Sequence, residues 1–272
     1  MRCLLCNSRK SEFVCIYKGE DIYLRKLNIA NFALKWFRCA KCGVYFSQQY
    51  KNIEKVYDNE LLYDAQFDKE SIRIRYEKIM SLDERKSDNA LRVKRVKSFH
   101  SAYVESGVRG RKPFNVLDIG AGMGVFLAKF LDSDYKGYAL EVNRVAAQHI
   151  REELRIPVYR DYVQNLKTGQ KFDLITMNKV LEHIKRPIDV LRSIQTVLHR
   201  NGIIYLELPD TRGYELDGAA CDGFSSGHYM VYNPQSVLYL LDQAGFDILH
   251  LNRVCEPSGK KTIYSFARRK LS

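Results

Sequence analysis

Val116 to Phe126 reads VLDIGAGMGVF. An apolar run leads into three glycines on alternate positions, Gly120, Gly122 and Gly124, and a helical pattern follows. Glycine lets backbone pass close to a ligand, because no Cβ stands in the way. A strand that ends in such a turn and opens a helix can hold part of a nucleotide-like ligand. Two acids sharpen that reading. Glu141 lies 21 residues after Gly120, at the end of the next apolar run. A carboxylate there can accept both hydroxyls of a ribose. Asp118 sits two residues before Gly120 and suits a ligand carrying an ammonium group rather than a pyrophosphate. A dinucleotide-binding unit normally spaces its glycines G-x-G-x-x-G, whereas this turn is G-x-G-x-G.

Downstream of the glycines, strands and helices alternate. YKGYALEV is a strand and NRVAAQHIREEL a helix; IPVYRDY is a short strand; FDLITMN is a strand and RPIDVLRSIQTVLH a helix; GIIYLELP is a strand and NPQSVLYLLDQAG a helix. That alternation predicts a mostly parallel sheet covered by helices on both faces. FDILHLNRV and TIYSFARR follow, joined by CEPSGKK, and predict a closing antiparallel hairpin. Upstream, KESIRIRYEKIMSL and NALRVKRVKSFHSAYV have helical period, and SGVRGRKP (Ser106 to Pro113) breaks it. Residues 1–50 carry paired cysteines among short aromatic-rich runs. The chain therefore divides into 1–50, a helical segment or lid over 51–110, and an α/β core over 111–272.

The chain has 272 residues, of which 46% are hydrophobic, so it can bury a sizeable core and is not a disordered chain. The opening residues MRCLLCNSRK lack the pattern of a signal peptide, and no window approaches a membrane span. A cytoplasmic protein is expected. The formal net charge is +12. Local basic clusters occur at Arg92 to Lys97, Arg109 to Lys112 and Ala267 to Lys270. They read either as solvated helix faces with a basic tail or as a surface for a polyanion.

VLDIGAGMGVFL resembles the first motif of class I S-adenosylmethionine (SAM)-dependent methyltransferases, and ALEVN resembles their second. FDLITMNKVLEHIKRP is similar to the fourth-strand segment of that family, where a Leu-Glu-His run is frequent. GIIYLELPD resembles its fifth strand, and GHYMVYNPQSVLYLLDQAGFDI its late loop, helix and Gly-Phe turn. The resemblance covers Phe114 to Lys270 in order. It implies a Rossmann-like seven-stranded sheet with an antiparallel last strand. It also implies roles: Gly120, Gly122 and Gly124 beside the methionine part of SAM, Asp118 near its amino group, Glu141 on the ribose, Asp161 and Tyr162 by the adenine, and Asn178 at the methionine end.

Cys3 and Cys6 form one C-x-x-C pair and Cys39 and Cys42 another, with 32 residues between the pairs. Four thiolates in two such pairs suit tetrahedral zinc, and a segment of this size needs the free energy a metal supplies. The odd total of seven cysteines argues against a disulfide framework. Residues 1–50 are thus read as a zinc ribbon with a closed structural site. A four-cysteine ribbon ahead of such a core is similar to sugar methyltransferases of deoxysugar and surface-polysaccharide pathways. A ribosomal-RNA guanine methyltransferase type has its knuckles much closer together. The tyrosine-rich stretch that holds Tyr57 and Tyr63 resembles the first group and marks those two residues as sugar-binding candidates.

Methyl transfer to a hydroxyl requires alignment of the acceptor and removal of its proton. His183, in LEHI, and His228, in GHYMVY, are the candidate general bases, and Glu182 is read as an orienting or helix residue. Sugar carbon-methyltransferases tend to have Glu-His in the late loop, where this chain has Gly227 and His228. They also usually carry a further C-terminal domain. Both departures favour O- or N-methylation over C-methylation. The expected partner is a small molecule or glycan unit bearing phosphate. The alternative is an RNA methyltransferase that holds its polyanion on the ribbon and the basic surface.

Overall fold

The computed structural model describes residues 1–18, 33–48, 68–107, 112–221 and 223–270. Tyr57 and Tyr63 lie outside the described residues. The main sheet has seven strands. They are β4 (Phe114–Ile119), β5 (Tyr135–Leu140), β6 (Val158–Tyr159), β7 (Phe172–Asn178), β8 (Leu198–Pro209), β10 (Phe246–Cys255) and β11 (Lys261–Arg269). Their order is β10-β11-β8-β7-β4-β5-β6. β4 pairs in parallel with both β5 and β7, and β7 with β8. β11 lies between β8 and β10 and is antiparallel to each. The expected Rossmann-like sheet with an antiparallel last strand is present. Val116, Leu117, Leu174, Ile175, Ile203 and Ile204 are fully buried, as parallel strands covered on both faces require. The chain crosses from one half of the sheet to the other between β4 and β7, and a crevice at such a switch point is where ligands bind in open α/β sheets.

Seven α-helices are described. They are α1 (Lys69–Met80), α2 (Asp88–Glu105), α3 (Val125–Phe130), α4 (Arg144–Glu152), α5 (Pro187–Ile194), α6 (Arg212–Asp217) and α7 (Pro234–Gln243). α2 buries Val93 and Val96 in one core cluster with Phe114, Phe126 and Phe130. None of the described helices is long and apolar enough to cross a membrane.

One boundary differs from the sequence pattern. RPIDVLRSIQTVLH reads as a single helix, yet α5 stops at Ile194 and β8 begins at Leu198. Leu198 pairs with Phe172, whose backbone N–H donates to Val197 O at 2.9 Å. The β-branched Thr196 and Val197 lower helix propensity there. Sheet pairing with a strand distant in sequence decides the outcome.

The described N-terminal residues and one strand from the core form a second sheet in the order β1-β2-β3-β9, where β1 is Ser11–Tyr17, β2 Leu34–Cys39, β3 Tyr45–Gln48 and β9 Met230–Val231. β9 comes from the late loop of the core. Ser47 donates its N–H to Tyr229 O at 3.0 Å and its hydroxyl to His228 O at 3.0 Å. Asn233 Nδ2 donates to Gly43 O, and Gln235 Nε2 to Lys41 O, both at 3.1 Å. Leu5, Val44 and Phe46 join the same apolar cluster as Met230, Tyr232 and Leu240. Trp36 stacks on Phe224 with ring centroids 4.4 Å apart.

Candidate active site

The glycine turn sits at the C-terminal end of β4. Gly120, Gly122 and Gly124 all have left-handed backbone, with φ of 68°, 54° and 74°. Their surroundings differ. A Cβ on Gly120 would lie 2.6 Å from Val180 Cγ2, and one on Gly124 would lie 2.6 Å from Leu154 Cδ1. A Cβ on Gly122 would meet nothing within 4 Å. Gly120 and Gly124 thus pack the turn against the protein, and Gly122 faces open space.

Two carboxylates flank that space. Asp118 is buried and accepts from Thr176 Oγ1 at 2.6 Å and Asn178 Nδ2 at 2.9 Å. Burial pushes its carboxyl up to about 7, against the pull of those hydrogen bonds and of the Arg92 charge. Asn178 Oδ1 is buried and has no hydrogen-bond partner among the described residues. Asp118 Oδ and Asn178 Oδ1 therefore form an acceptor-rich corner suited to an ammonium group. Thr176, which orients Asp118, is visible in the sequence only as an alternate position of β7. Glu141 ends the neighbouring strand. It accepts from Gly122 N at 2.7 Å and Asn143 N at 2.8 Å, one on each carboxylate oxygen. Burial raises its carboxyl and those two amides lower it. Each oxygen retains a lone pair for a ligand hydroxyl. Asp161 is exposed and accepts from Tyr162 N at 2.7 Å and Asn165 Nδ2 at 3.0 Å, which fixes the turn after β6.

The histidines meet beyond the end of β7. Leu181–His183 is one turn of 3₁₀-helix, and Tyr229 N donates to Glu182 O at 2.7 Å, so this turn and the late loop are joined. His183 Nδ1 lies 2.8 Å from Gly227 O, and His228 Nδ1 lies 2.8 Å from Gly223 O. The two rings are T-shaped with centroids 4.7 Å apart. Burial, with His183 beside it, pulls His228 down to about 3, so it is neutral at pH 7. Glu182 is fully buried, and burial raises its carboxyl. The structure joins Asp118 with Asn178, Gly122 with Glu141, and Glu182 with His183 and His228, while Asp161 and Tyr162 lie in the turn after β6.

The basic run at Arg92 to Lys97 differs from both sequence readings of it. Arg92 donates through Nε to Glu207 Oε2 at 2.8 Å, and the two side chains are 13% and 0% exposed. Arg95 donates to Tyr205 Oη at 2.9 Å and lies 3.4 Å from Glu256. Burial works to raise Glu207, but the Arg92 charge and hydrogen bond outweigh it and hold the carboxyl at about 2. Two of the four cations in the run are therefore partly buried struts between α2 and the strand ends. Nothing in helical periodicity reveals a partner 115 residues away.

At the ribbon, Cys3 Sγ lies 3.6 Å from Cys42 Sγ and Cys6 Sγ 3.5 Å from Cys39 Sγ. All four sulfurs fall within 4.8 Å of one another. Tetrahedral Zn–S bonds of about 2.3 Å place sulfurs about 3.8 Å apart, so the set fits a metal ion of that kind. Both knuckles close with a left-handed residue directly after the second cysteine, Asn7 at φ 58° and Gly43 at φ 74°. Asparagine tolerates that region better than other side chains do, which explains a knuckle without glycine.

Residues 83–251 match the family model described as "Methyltransferase domain". Among curated proteins, the ubiquinone biosynthesis O-methyltransferase of Actinobacillus pleuropneumoniae serotype 5b is 28% identical over 114 residues, 38% of this chain and 49% of that protein. The enzyme of the same name from Haemophilus ducreyi is 25% identical over 115 residues, 38% of this chain and 49% of that protein. The chain thus spans about half the length of the curated relatives it matches. Among solved structures, the Burkholderia thailandensis 1,6-didemethyltoxoflavin-N1-methyltransferase superposes with a TM-score of 0.56 at 19% identity, over 85% of this chain and 97% of that one. The magnesium protoporphyrin IX methyltransferase of Synechocystis PCC 6803 gives 0.51 at 16%, over 67% and 86%. These two likenesses concern the fold.

Proposed function

The chain belongs to the methyltransferase-domain family, with the class I SAM-dependent fold, and on that premise we propose that it methylates a hydroxyl of a small-molecule acceptor, a sugar in our reading. The observation that carries this is the meeting of His183, His228 and Glu182 just after β7, the strand whose last residue, Asn178, bonds Asp118. A group that can accept a proton then follows, along the chain, a strand end suited to an amino acid-like ligand.

SAM supplies a methyl carbon already activated by a positive sulfur. Asp118 and the free Asn178 Oδ1 receive its ammonium group. Gly122 leaves room for its methionine part, and the remaining lone pairs of Glu141 accept the ribose hydroxyls. Asp161 and Tyr162 border the adenine. His183 takes the proton of the acceptor hydroxyl. Its Nδ1 faces the Gly227 carbonyl, which can only accept, so the ring carries its proton there and leaves Nε2 bare. His228 is held in the same tautomer by Gly223 O and shares or orients the same hydroxyl.

Zinc on Cys3, Cys6, Cys39 and Cys42 stiffens the ribbon, and the ribbon carries the late loop through β3 and β9. The wide spacing of the cysteine pairs and the tyrosines Tyr57 and Tyr63 favour a sugar as acceptor. The burial of Arg92 and Arg95 removes charge from the run best suited to RNA. The curated relatives are O-methyltransferases by name, which favours oxygen as the acceptor atom.

The test is methyl transfer from labelled SAM to a panel of nucleotide sugars, capsule fragments and bulk RNA. A sugar should be labelled, and His183→Ala should lower turnover by about 10²–10⁴-fold, the range for losing a general base. SAM affinity should barely change. Labelling of RNA alone would replace this reading with the nucleic-acid one.

A further inference from the structure

Glu182, His183 and His228 meet in one cluster. Each imidazole carries its proton on Nδ1, because each Nδ1 faces a backbone carbonyl, of Gly227 for His183 and Gly223 for His228. Both Nε2 atoms therefore present bare lone pairs. Glu182 is 1% exposed, and its Oε2 has no hydrogen-bond partner among the described residues. One ring nitrogen from each histidine and one Glu182 oxygen lie within 4.8 Å of one another. The buried, unpartnered Glu182 oxygen costs free energy unless a cation or a donor reaches it, and a ring nitrogen from each of the less buried His183 and His228 stands within 4.8 Å of a Glu182 oxygen. Holding a histidine by Nδ1–H to a backbone carbonyl is also how ligating imidazoles are usually oriented.

We propose that Glu182, His183 and His228 bind one divalent first-row transition-metal ion, at a site separate from the four cysteines. Two imidazoles and one carboxylate suit manganese, iron, cobalt or zinc, and suit calcium or magnesium poorly. Lys179 sharpens the selection. Its ammonium donates to Thr262 Oγ1 at 2.8 Å and is close enough to act on the Glu182 carboxyl. That positive charge disfavours a cation held by charge alone, so the ion must be held by the imidazole nitrogens. The donors come from two segments already joined by the Tyr229 to Glu182 backbone bond. A cation about 2.1 Å from each would draw the three atoms to roughly 3 Å apart.

Three protein ligands leave coordination positions open for an acceptor oxygen. This use of the ion rests on the methyltransferase reading, whereas its binding does not. An acceptor hydroxyl on the ion loses its proton to solvent water. The resulting alkoxide attacks the methyl carbon of SAM, forming the O–C bond as the C–S bond breaks. The electron pair of that bond stays on sulfur, which leaves as a neutral thioether. With the ion present the ring nitrogens are ligands, and without it His183 takes the proton directly.

The test uses full-length protein with its cysteine site loaded with zinc. Mn²⁺ is titrated in, and the signal of the free aqua ion is followed by electron paramagnetic resonance. Mn²⁺ avoids all-thiolate sites, so the ribbon stays silent. Wild type should take up one equivalent. His183→Gln and His228→Gln should bind it at least about 10-fold more weakly. SAM affinity, measured by calorimetry, should be the same in all three, which shows that the variants are folded. No uptake by wild type, or equal uptake by wild type and both variants, overturns the site. Full-rate methyl transfer after a chelator has removed the ion overturns its catalytic use and leaves His183 as the base. Uptake without methylation of any acceptor upholds the metal site and removes the acceptor reading instead.

Discussion

Gly120→Ala and Gly122→Ala should separate two jobs that look identical in the sequence. Both positions have left-handed backbone, at φ of 68° and 54°. An alanine there costs about 1–2 kcal/mol for the backbone alone. At Gly122 nothing more is added, because its Cβ would meet no atom within 4 Å. At Gly120 the Cβ would lie 2.6 Å from Val180 Cγ2, and overpacking adds about 1–3 kcal/mol. Gly120→Ala should therefore lose about 2–5 kcal/mol in total, and Gly122→Ala about 1–2 kcal/mol. At about 2–4 °C per kcal/mol for a domain of this size, the melting temperatures should fall by roughly 4–20 °C and 2–8 °C. SAM binding should rank the other way among folded molecules. On the proposed reading a Gly122 Cβ would enter the space of the methionine part, so affinity should drop by at least about tenfold, or about 1.4 kcal/mol. Thermal unfolding without ligand gives the first ranking, and calorimetry well below the melting temperature gives the second. A folded Gly122→Ala protein that binds SAM as tightly as wild type would refute the assignment of this space to the cofactor.

On the proposed reading, Asp118 should make SAM binding pH-dependent. Burial holds its folded pKa at about 7, above the ordinary value of 3.8, so its contribution to stability is present at low pH and is lost as pH rises from about 4 to about 7. A bound ammonium favours the ionised carboxylate, so SAM should bind up to about tenfold more weakly at pH 6 than above pH 8, and Asp118→Asn should flatten that dependence in calorimetry. Glu207→Gln leaves Arg92 charged, buried and poorly paired and should cost about 3–5 kcal/mol in urea unfolding, whereas an unchanged midpoint would show that the pair is solvated. Cys42→Ser should remove zinc and undock the ribbon. Trp36, the sole tryptophan, is buried against Phe224, so its fluorescence should shift to longer wavelength; unshifted emission from zinc-free protein would show that the ribbon holds itself.

The central strands of the main sheet are legible in the sequence because parallel strands buried on both faces are continuous apolar runs. Phe114–Ile119 and Phe172–Asn178 begin and end where their sequences suggest. The antiparallel hairpin is legible from the short turn between two long runs. What stays hidden depends on partners far along the chain. The two residues of β9 have no strand signal of their own and are a strand only because Tyr45 and Phe46 lie opposite. The end of α5 is set by Phe172 in the same way. Arg92 and Arg95 look like surface charges until Glu207 and Glu256 are placed beside them. Among candidate site residues, the glycines and acids carry local signals. The shared tautomer of His183 and His228 comes from two carbonyls, which no side-chain pattern encodes.

The pairing of β3 with β9 also sets a clock. Tyr45 and its partner Val231 are separated by 186 positions. At about 5–20 residues per second, a ribosome takes roughly 10–40 s to cover that distance. Throughout that interval β3 presents an unpaired edge, and Phe46 lacks the core against which it packs. An exposed apolar strand edge invites pairing with other chains. Metal captured early by the four cysteines would close the knuckles within that interval, but only the arrival of the late loop can cap the edge.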